Sequence, residues 1–118
     1  MNLPYANHAI IDNEKIKGYC LNPEHPRGKH KARVFKDSLG LTLKNTESSI
    51  AKIRNGISKA ECKKGVLDEY GQRYTVDIEI ENNFKKAAIR TSCILKRNET
   101  RPRLTTCYVK RQGENYEK

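Results

Sequence analysis

Around residue 65 the hydrophobic pattern changes period, and that change restricts the fold more than any other feature of the chain. On the N-terminal side apolar residues recur at helical spacing. Leu43, Thr46, Ile50, Ile53, Ile57 and Ala60 follow one another at steps of 3, 4, 3, 4 and 3. That is one face of an α-helix, expected to run from Thr42 to Gly65. On the C-terminal side Tyr74, Val76, Ile78 and Ile80 alternate strictly with Thr75, Asp77 and Glu79. That is the period of a strand with one buried face.

Two more helices are expected before the change. Asp12 is an N-cap with Glu14 in the first turn, and Ile16, Tyr19 and Cys20 share a face over 12–21. Asn22-Pro23 stops that segment, because proline disfavours the helical region for the residue before it. Ala32, Phe35 and Leu39 form a stripe over 29–39, and Gly40 suits the left-handed residue that closes a helix. After the first strand, Asn82-Asn83 makes a turn, and strands follow over 87–95 and 103–110. Short connections make the three strands antiparallel. The expectation is an α+β fold, N-terminal helices packed on one face of a small curved antiparallel sheet. A single domain is expected over 1–111, with a polar C-terminal tail over 112–118.

Charge narrows the partner. The chain has 118 residues with 24 Lys plus Arg against 14 Asp plus Glu, a net charge of +10. Such an excess favours a polyanion. RNA comes first, as tRNA or mRNA, and an acidic protein second. Basicity serving solubility alone is the competing reading. No apolar run approaches the ~20 residues of a membrane helix, and Met1–Ile11 has no secretory pattern. A cytoplasmic protein without a membrane partner is expected. Cys20, Cys62, Cys93 and Cys107 form no C-x-x-C pair and have no histidine at zinc-finger spacing. They are expected as buried thiols, with disulfides open to a secreted chain. No metal site and no cofactor are expected. The carboxylates form no cluster of the two-metal kind, and phosphate-loop and dinucleotide fingerprints are absent.

The sharpest motif is His25-Pro26-Arg27-Gly28-Lys29-His30-Lys31-Ala32-Arg33. Arg27, Lys29, Lys31, Arg33 and Lys36 crowd a helix start, where cations oppose the macrodipole unless an anion is bound. A solvated basic face is the alternative. His30 falls opposite the Ala32, Phe35, Leu39 stripe, facing a groove or solvent, and is a candidate proton carrier. His25, between two prolines, is a second candidate. On the strands, Arg90, Ser92, Thr106 and Tyr108 are expected on the face away from Ile89, Cys93, Cys107 and Val109. That set holds a cation, hydroxyls and a phenol for a phosphate or a base. Taken alone, these residues fit an ordinary solvated sheet face better, since Thr, Arg and Tyr all suit strands. Gln72 and Arg73, between Tyr70 and Tyr74, are further candidate RNA contacts, and a plain turn is the alternative there.

Leu3-Pro4, the run Leu21-Asn22-Pro23-Glu24-His25-Pro26-Arg27-Gly28-Lys29-His30-Lys31-Ala32-Arg33-Val34-Phe35, Tyr70 to Tyr74, Arg90-Thr91 and Pro102 to Val109 resemble the motif series of an uncharacterised bacterial domain family. The order of elements is also similar to the barnase–EndoU–colicin–RelE group of ribonuclease toxins. That likeness implies a metal-independent ribonuclease using His30 and Lys31 from the helix start and Arg90, Thr106 and Tyr108 from the strands. Arg27, Lys29, Arg33, Lys36, Gln72, Arg73 and Ser92 would hold the nucleic acid. No second histidine lies on the strands, so the general acid has no assignment. A toxin further implies an acidic antitoxin or immunity protein. A non-catalytic nucleic-acid-binding module and a basic inhibitor or interaction protein of a phage or defence system are the rival expectations.

Overall fold

The computed structural model describes residues 1–110, so the expectations for the domain end at 111 and the tail over 112–118 fall outside the described residues. Helices α1 (Asn13–Lys15), α2 (Lys29–Leu39) and α3 (Thr46–Lys59) precede strands β1 (Cys62–Asp68), β2 (Gly71–Asn82), β3 (Lys85–Lys96) and β4 (Arg103–Lys110). The strands form one antiparallel sheet in the order β1-β2-β3-β4, so β1 and β4 are its edges. The fold is α+β, with the helices on one face of a curved, unclosed sheet, as the change of period implies.

Helix α2 spans the expected residues. Gly40 closes it at φ 70°, its N–H bonding Lys36 O at 2.8 Å while Leu41 N–H bonds Phe35 O at 3.3 Å. These bonds satisfy carbonyls that would otherwise be orphaned at the helix end. Phe35 and Leu39 from α2 join Ile53 and Ile57 from α3 in the core, against Val76, Ile78, Ile80, Ile89, Cys93, Cys107 and Val109 of the sheet, and Ala32 is buried on the same face of α2. Full burial of each large aliphatic side chain contributes about 1.5–3 kcal/mol. All four cysteines are buried and unbridged.

Four sequence expectations need correction. The segment 12–21 is one α-turn running into a π-helical turn over Ile16–Cys20, in which Leu21 N–H bonds Ile16 O at 2.9 Å. Helix α3 begins at Thr46 rather than Thr42. Thr42 and Asn45 instead form a capping box around a 3₁₀ turn, Leu43–Asn45, and Leu43 is 41% exposed. Helix α3 also ends at Lys59, and Gly65 lies inside a fourth strand, β1. That strand carries no period-2 signal because it is an edge whose only buried residue is Cys62, with its pairing shifted between Lys64 and Leu67. The hairpin turn between β2 and β3 is Asn83-Phe84, since Asn82 still pairs with Lys85.

The N-terminal residues pair at one end of each sheet edge. Asn2 bridges to Glu61 beside β1, and Ile10 bridges in parallel to Arg103 of β4. Ile10 N–H bonds Pro102 O at 2.8 Å, and Leu104 N–H bonds Ile10 O at 2.9 Å. Backbone groups at an open edge would otherwise template pairing with another chain. Among the described residues no helix is long and apolar enough to cross a membrane.

Candidate functional site

Each residue of an α-helix is rotated by about 100° from the one before it. Ala32 points into the core, so Lys31 and Arg33 occupy opposite flanks of α2. On the Lys31 flank lies β4. Lys31 Nζ donates to Thr106 Oγ1 at 2.9 Å and to Tyr19 Oη at 3.1 Å. It also sits 4.6 Å from the ring centroid of Tyr19 and 5.7 Å from that of Tyr108, within cation–π range. Among the described residues Lys31 has no carboxylate partner at ion-pair distance. A half-buried ammonium held only by hydroxyls and ring faces is a ready anion site.

Tyr19 enters this cluster through the π-helical turn, a device common at functional sites. The loop back to α2 packs tightly against it. A Cβ on Gly28 would run into the carbonyl of Tyr19, so only glycine brings the start of α2 this close.

The sheet supplies the other side. Arg90 pairs with Tyr108 and Ser92 with Thr106 across β3 and β4, so all four share one face, as the alternation implies. Arg90 grips Asp77 with a two-pronged ion pair, Nε to Oδ1 at 2.8 Å and Nη2 to Oδ2 at 2.9 Å. Lys110 Nζ reaches Asp77 Oδ2 at 3.2 Å. The Arg90 hydrogen bonds, with help from Lys110, hold the Asp77 carboxyl below the usual carboxylate range. The same carboxylate raises the pKa of Arg90, which stays charged. Two cations on one carboxylate leave a net positive charge beside Tyr108.

His30 faces a groove, as its place opposite the Ala32, Phe35, Leu39 stripe implies, yet stands outside the Lys31 cluster. His30 is exposed, and no described hydrogen bond joins it to Lys31, Thr106, Arg90 or Tyr108. It lines an open groove of about 830 Å³ with Lys29, Arg33, Lys36 and Lys44, over Leu21 and Leu41. His25 stands beside the cluster instead. Its ring packs edge-on against Tyr19 with centroids 4.8 Å apart. Its Nδ1 accepts the backbone N–H groups of Arg27 and Gly28, each at 3.0 Å. A ring nitrogen that accepts cannot carry the proton, so neutral His25 bears its proton on Nε2.

The remaining expected contacts scatter. Lys29, Arg33 and Lys36 line the groove with His30, and Arg27 is exposed at the start of α2. Gln72 and Arg73 lie on β2 beside β1, on the side of the sheet away from β4. There Gln72 Nε2 donates to Gly65 O at 2.8 Å, across the irregular stretch of β1, and Arg73 Nε pairs with Asp68 at 3.0 Å. Both residues hold the β1–β2 hairpin and stand apart from the Lys31 cluster. Sequence reasoning does not single out Tyr19, which falls in a helical stripe, or Asp77, which falls in the polar phase of a strand. Asp77 meets Arg90 only through the register that the Asn83-Phe84 turn sets.

A family model described as a domain of unknown function, DUF6883, matches residues 2–111. No curated protein and no solved structure matches the chain.

Proposed function

The chain belongs to the DUF6883 family, and from its own site we propose that it is a metal-independent endoribonuclease acting as a bacterial toxin. The observation that carries this is the Lys31 ammonium, bonded to Thr106 and Tyr19, close to the Tyr108 ring and without a carboxylate partner among the described residues. In this reading the scissile phosphate takes the place beside Lys31. The RNA 2′-oxygen attacks the adjacent phosphorus, the P–O5′ bond breaks, and a cyclic phosphate and a 5′-hydroxyl result. Lys31 and the outer edge of Arg90 stabilise the charge that builds on the non-bridging oxygens. Thr106 hydrogen-bonds one of those oxygens. The 2′-hydroxyl proton passes to solvent, Tyr108 gives one to the departing 5′-oxygen, and Tyr19 holds the Lys31 ammonium in place. Lys29, His30, Arg33 and Lys36 hold the flanking strand along the groove. The protein acts in the cytoplasm, where its RNA is, and an acidic partner protein that covers the basic surface restrains it.

A binding module without chemistry is the second reading, favoured by the position of His30 outside the Lys31 cluster. One experiment separates them. Wild-type and Lys31→Ala proteins are incubated with total RNA and tRNA in EDTA, and new ends are probed for cyclic phosphate. Cleavage by the wild type alone supports the ribonuclease. RNA left intact by both, with affinity that falls steeply with salt, replaces it with the binding module.

A further inference from the structure

Directly beneath the Lys31 cluster lie two cysteines that neither the fold nor the proposed cleavage explains. Cys20 is the last residue of the π-helical turn and Cys107 is central in β4. Their sulfurs are 3.6 Å apart, and both side chains are almost wholly buried, at 1% and 0% exposure. We propose that Cys20 and Cys107 are a redox-active dithiol that hydrogen peroxide closes to the one disulfide of this chain.

The geometry singles out this pair. A disulfide needs Cα atoms within about 7 Å of each other. Cys62 and Cys93 sit on β1 and β3 with β2 between them. Two strand spacings are about 9.6 Å, beyond that limit. Cys20 and Cys107 come from different layers of the fold, and their sulfurs already touch. A small cavity of about 10 Å³ abuts both, so the sulfurs have room to shift as the bond forms.

The two thiols are also chemically unequal, as a nucleophile and its resolving partner must be. Cys20 is lowered, first by the hydrogen bond from Cys107, against the opposing effect of burial, and further by the charges of Lys31 and Lys15. Cys107 is raised well above the ordinary thiol value, because its proton serves that same hydrogen bond and because it is buried. Cys93 is pushed up to about 12 by burial and stays a thiol. The thiolate is the species that reacts.

The sequence of bonds follows from this order. The Cys20 thiolate attacks one oxygen of the peroxide. An S–O bond forms, the O–O bond breaks, and hydroxide leaves as water after taking a proton. Cys107 sulfur then attacks the sulfenic sulfur of Cys20. The S–S bond forms, the S–O bond breaks, and a second water carries away the Cys107 proton. Two thiols lose two electrons in all, and one peroxide gains them.

The consequence falls on the candidate site. Tyr19 precedes Cys20, and Thr106 and Tyr108 flank Cys107. The bond therefore ties together the two segments that supply both hydroxyl partners of Lys31. The disulfide stands whether or not that site cleaves RNA, because the test reads the covalent bond.

Purified folded protein is treated with a small excess of hydrogen peroxide, then alkylated under denaturing conditions without reductant. Before alkylation the expected product has lost about 2 Da, and after it the peptides containing Cys20 and Cys107 are joined while Cys62 and Cys93 carry alkyl groups. Its thermal midpoint rises by roughly 10 °C over the reduced protein, since the closed loop is long. Dithiothreitol reverses both changes. Four alkylated cysteines after treatment, a bond mapped to another pair, or sulfenic acid at Cys20 that never resolves each overturns the proposal. Because all of these are read on the wild type, a Cys107→Ser variant that fails to fold does not obscure them.

Discussion

Lys31 Nζ and Thr106 Oγ1 lie 2.9 Å apart across 75 positions of sequence. This bond joins the flank of α2 to the edge strand β4. It also turns a basic helix start into a site with a defined centre. Lys31→Ala is expected to lower RNA cleavage by about 10²–10³, the usual loss for one donor to a developing charge. His30→Ala is expected to change the rate less than tenfold. Single-turnover rates of the two variants, with urea unfolding to verify the fold, decide between them. Equal losses would return His30 to the centre of the chemistry.

The groove flank of α2 is expected to act on binding alone. Charge reversal in the double variant Arg33→Glu, Lys36→Glu removes two cations from the groove lining. RNA affinity should fall, and the slope of log affinity against log salt should become shallower by about 2. The cleavage rate at saturating RNA should hold. Filter binding at four salt concentrations measures the slope, and an unchanged slope removes the groove from the RNA path.

His25 is expected to matter first as a cap. Its Nδ1 accepts two backbone N–H groups at the entry to α2. His25→Ala leaves them to solvent and costs about 1–2 kcal/mol. His25→Asn offers a short acceptor and recovers part of that loss. Urea titrations of the two variants give the comparison, and equal stability of His25→Ala and wild type rejects the cap.

Asp77 is expected to contribute stability that disappears in acid. Folding lowers its pKa through Arg90 and Lys110. The contribution is therefore complete above the unfolded value of about 3.9 and is lost as pH falls through the lower folded value. With its side chain 38% exposed, solvent screening holds the effect to less than about 1 kcal/mol. Asp77→Asn should be weaker than wild type at pH 7 and indistinguishable near pH 2. Unfolding curves at both pH values test the sign.

Phe84 is expected to be a liability for stability. It stands at the tip of the β2–β3 hairpin, fully exposed, at φ 71° beside Asn83 at φ 50°. A bulky residue in the left-handed region is strained by roughly 1 kcal/mol or more, and Asn-Gly is the preferred pair for such a turn. Phe84→Gly should raise stability by about 1 kcal/mol. A thermal midpoint that falls would show that Phe84 makes a stabilising contact.

Local periodicity determined most of this fold. The stripe of Ala32, Phe35 and Leu39 set α2, and the alternation from Tyr74 to Ile80 set β2 and its buried face. The shared face of Arg90, Ser92, Thr106 and Tyr108 followed from the same alternation. Strand β1 stayed hidden because an exposed edge buries too little to print a pattern. The site was legible only in part. The sequence placed Lys31 among five basic residues of the HPRGKHKAR segment and the stretch just after it, and only the ribonuclease resemblance set it apart from the others. Burial of Ala32 then sent Lys31 toward β4 and His30, Arg33 and Lys36 toward a groove. The π-helical turn brought in Tyr19, and the same packing set Cys20 against Cys107. Periodicity is a property of neighbours in sequence, whereas these contacts join residues many turns and strands apart. Only the docking of helices on the sheet selects them.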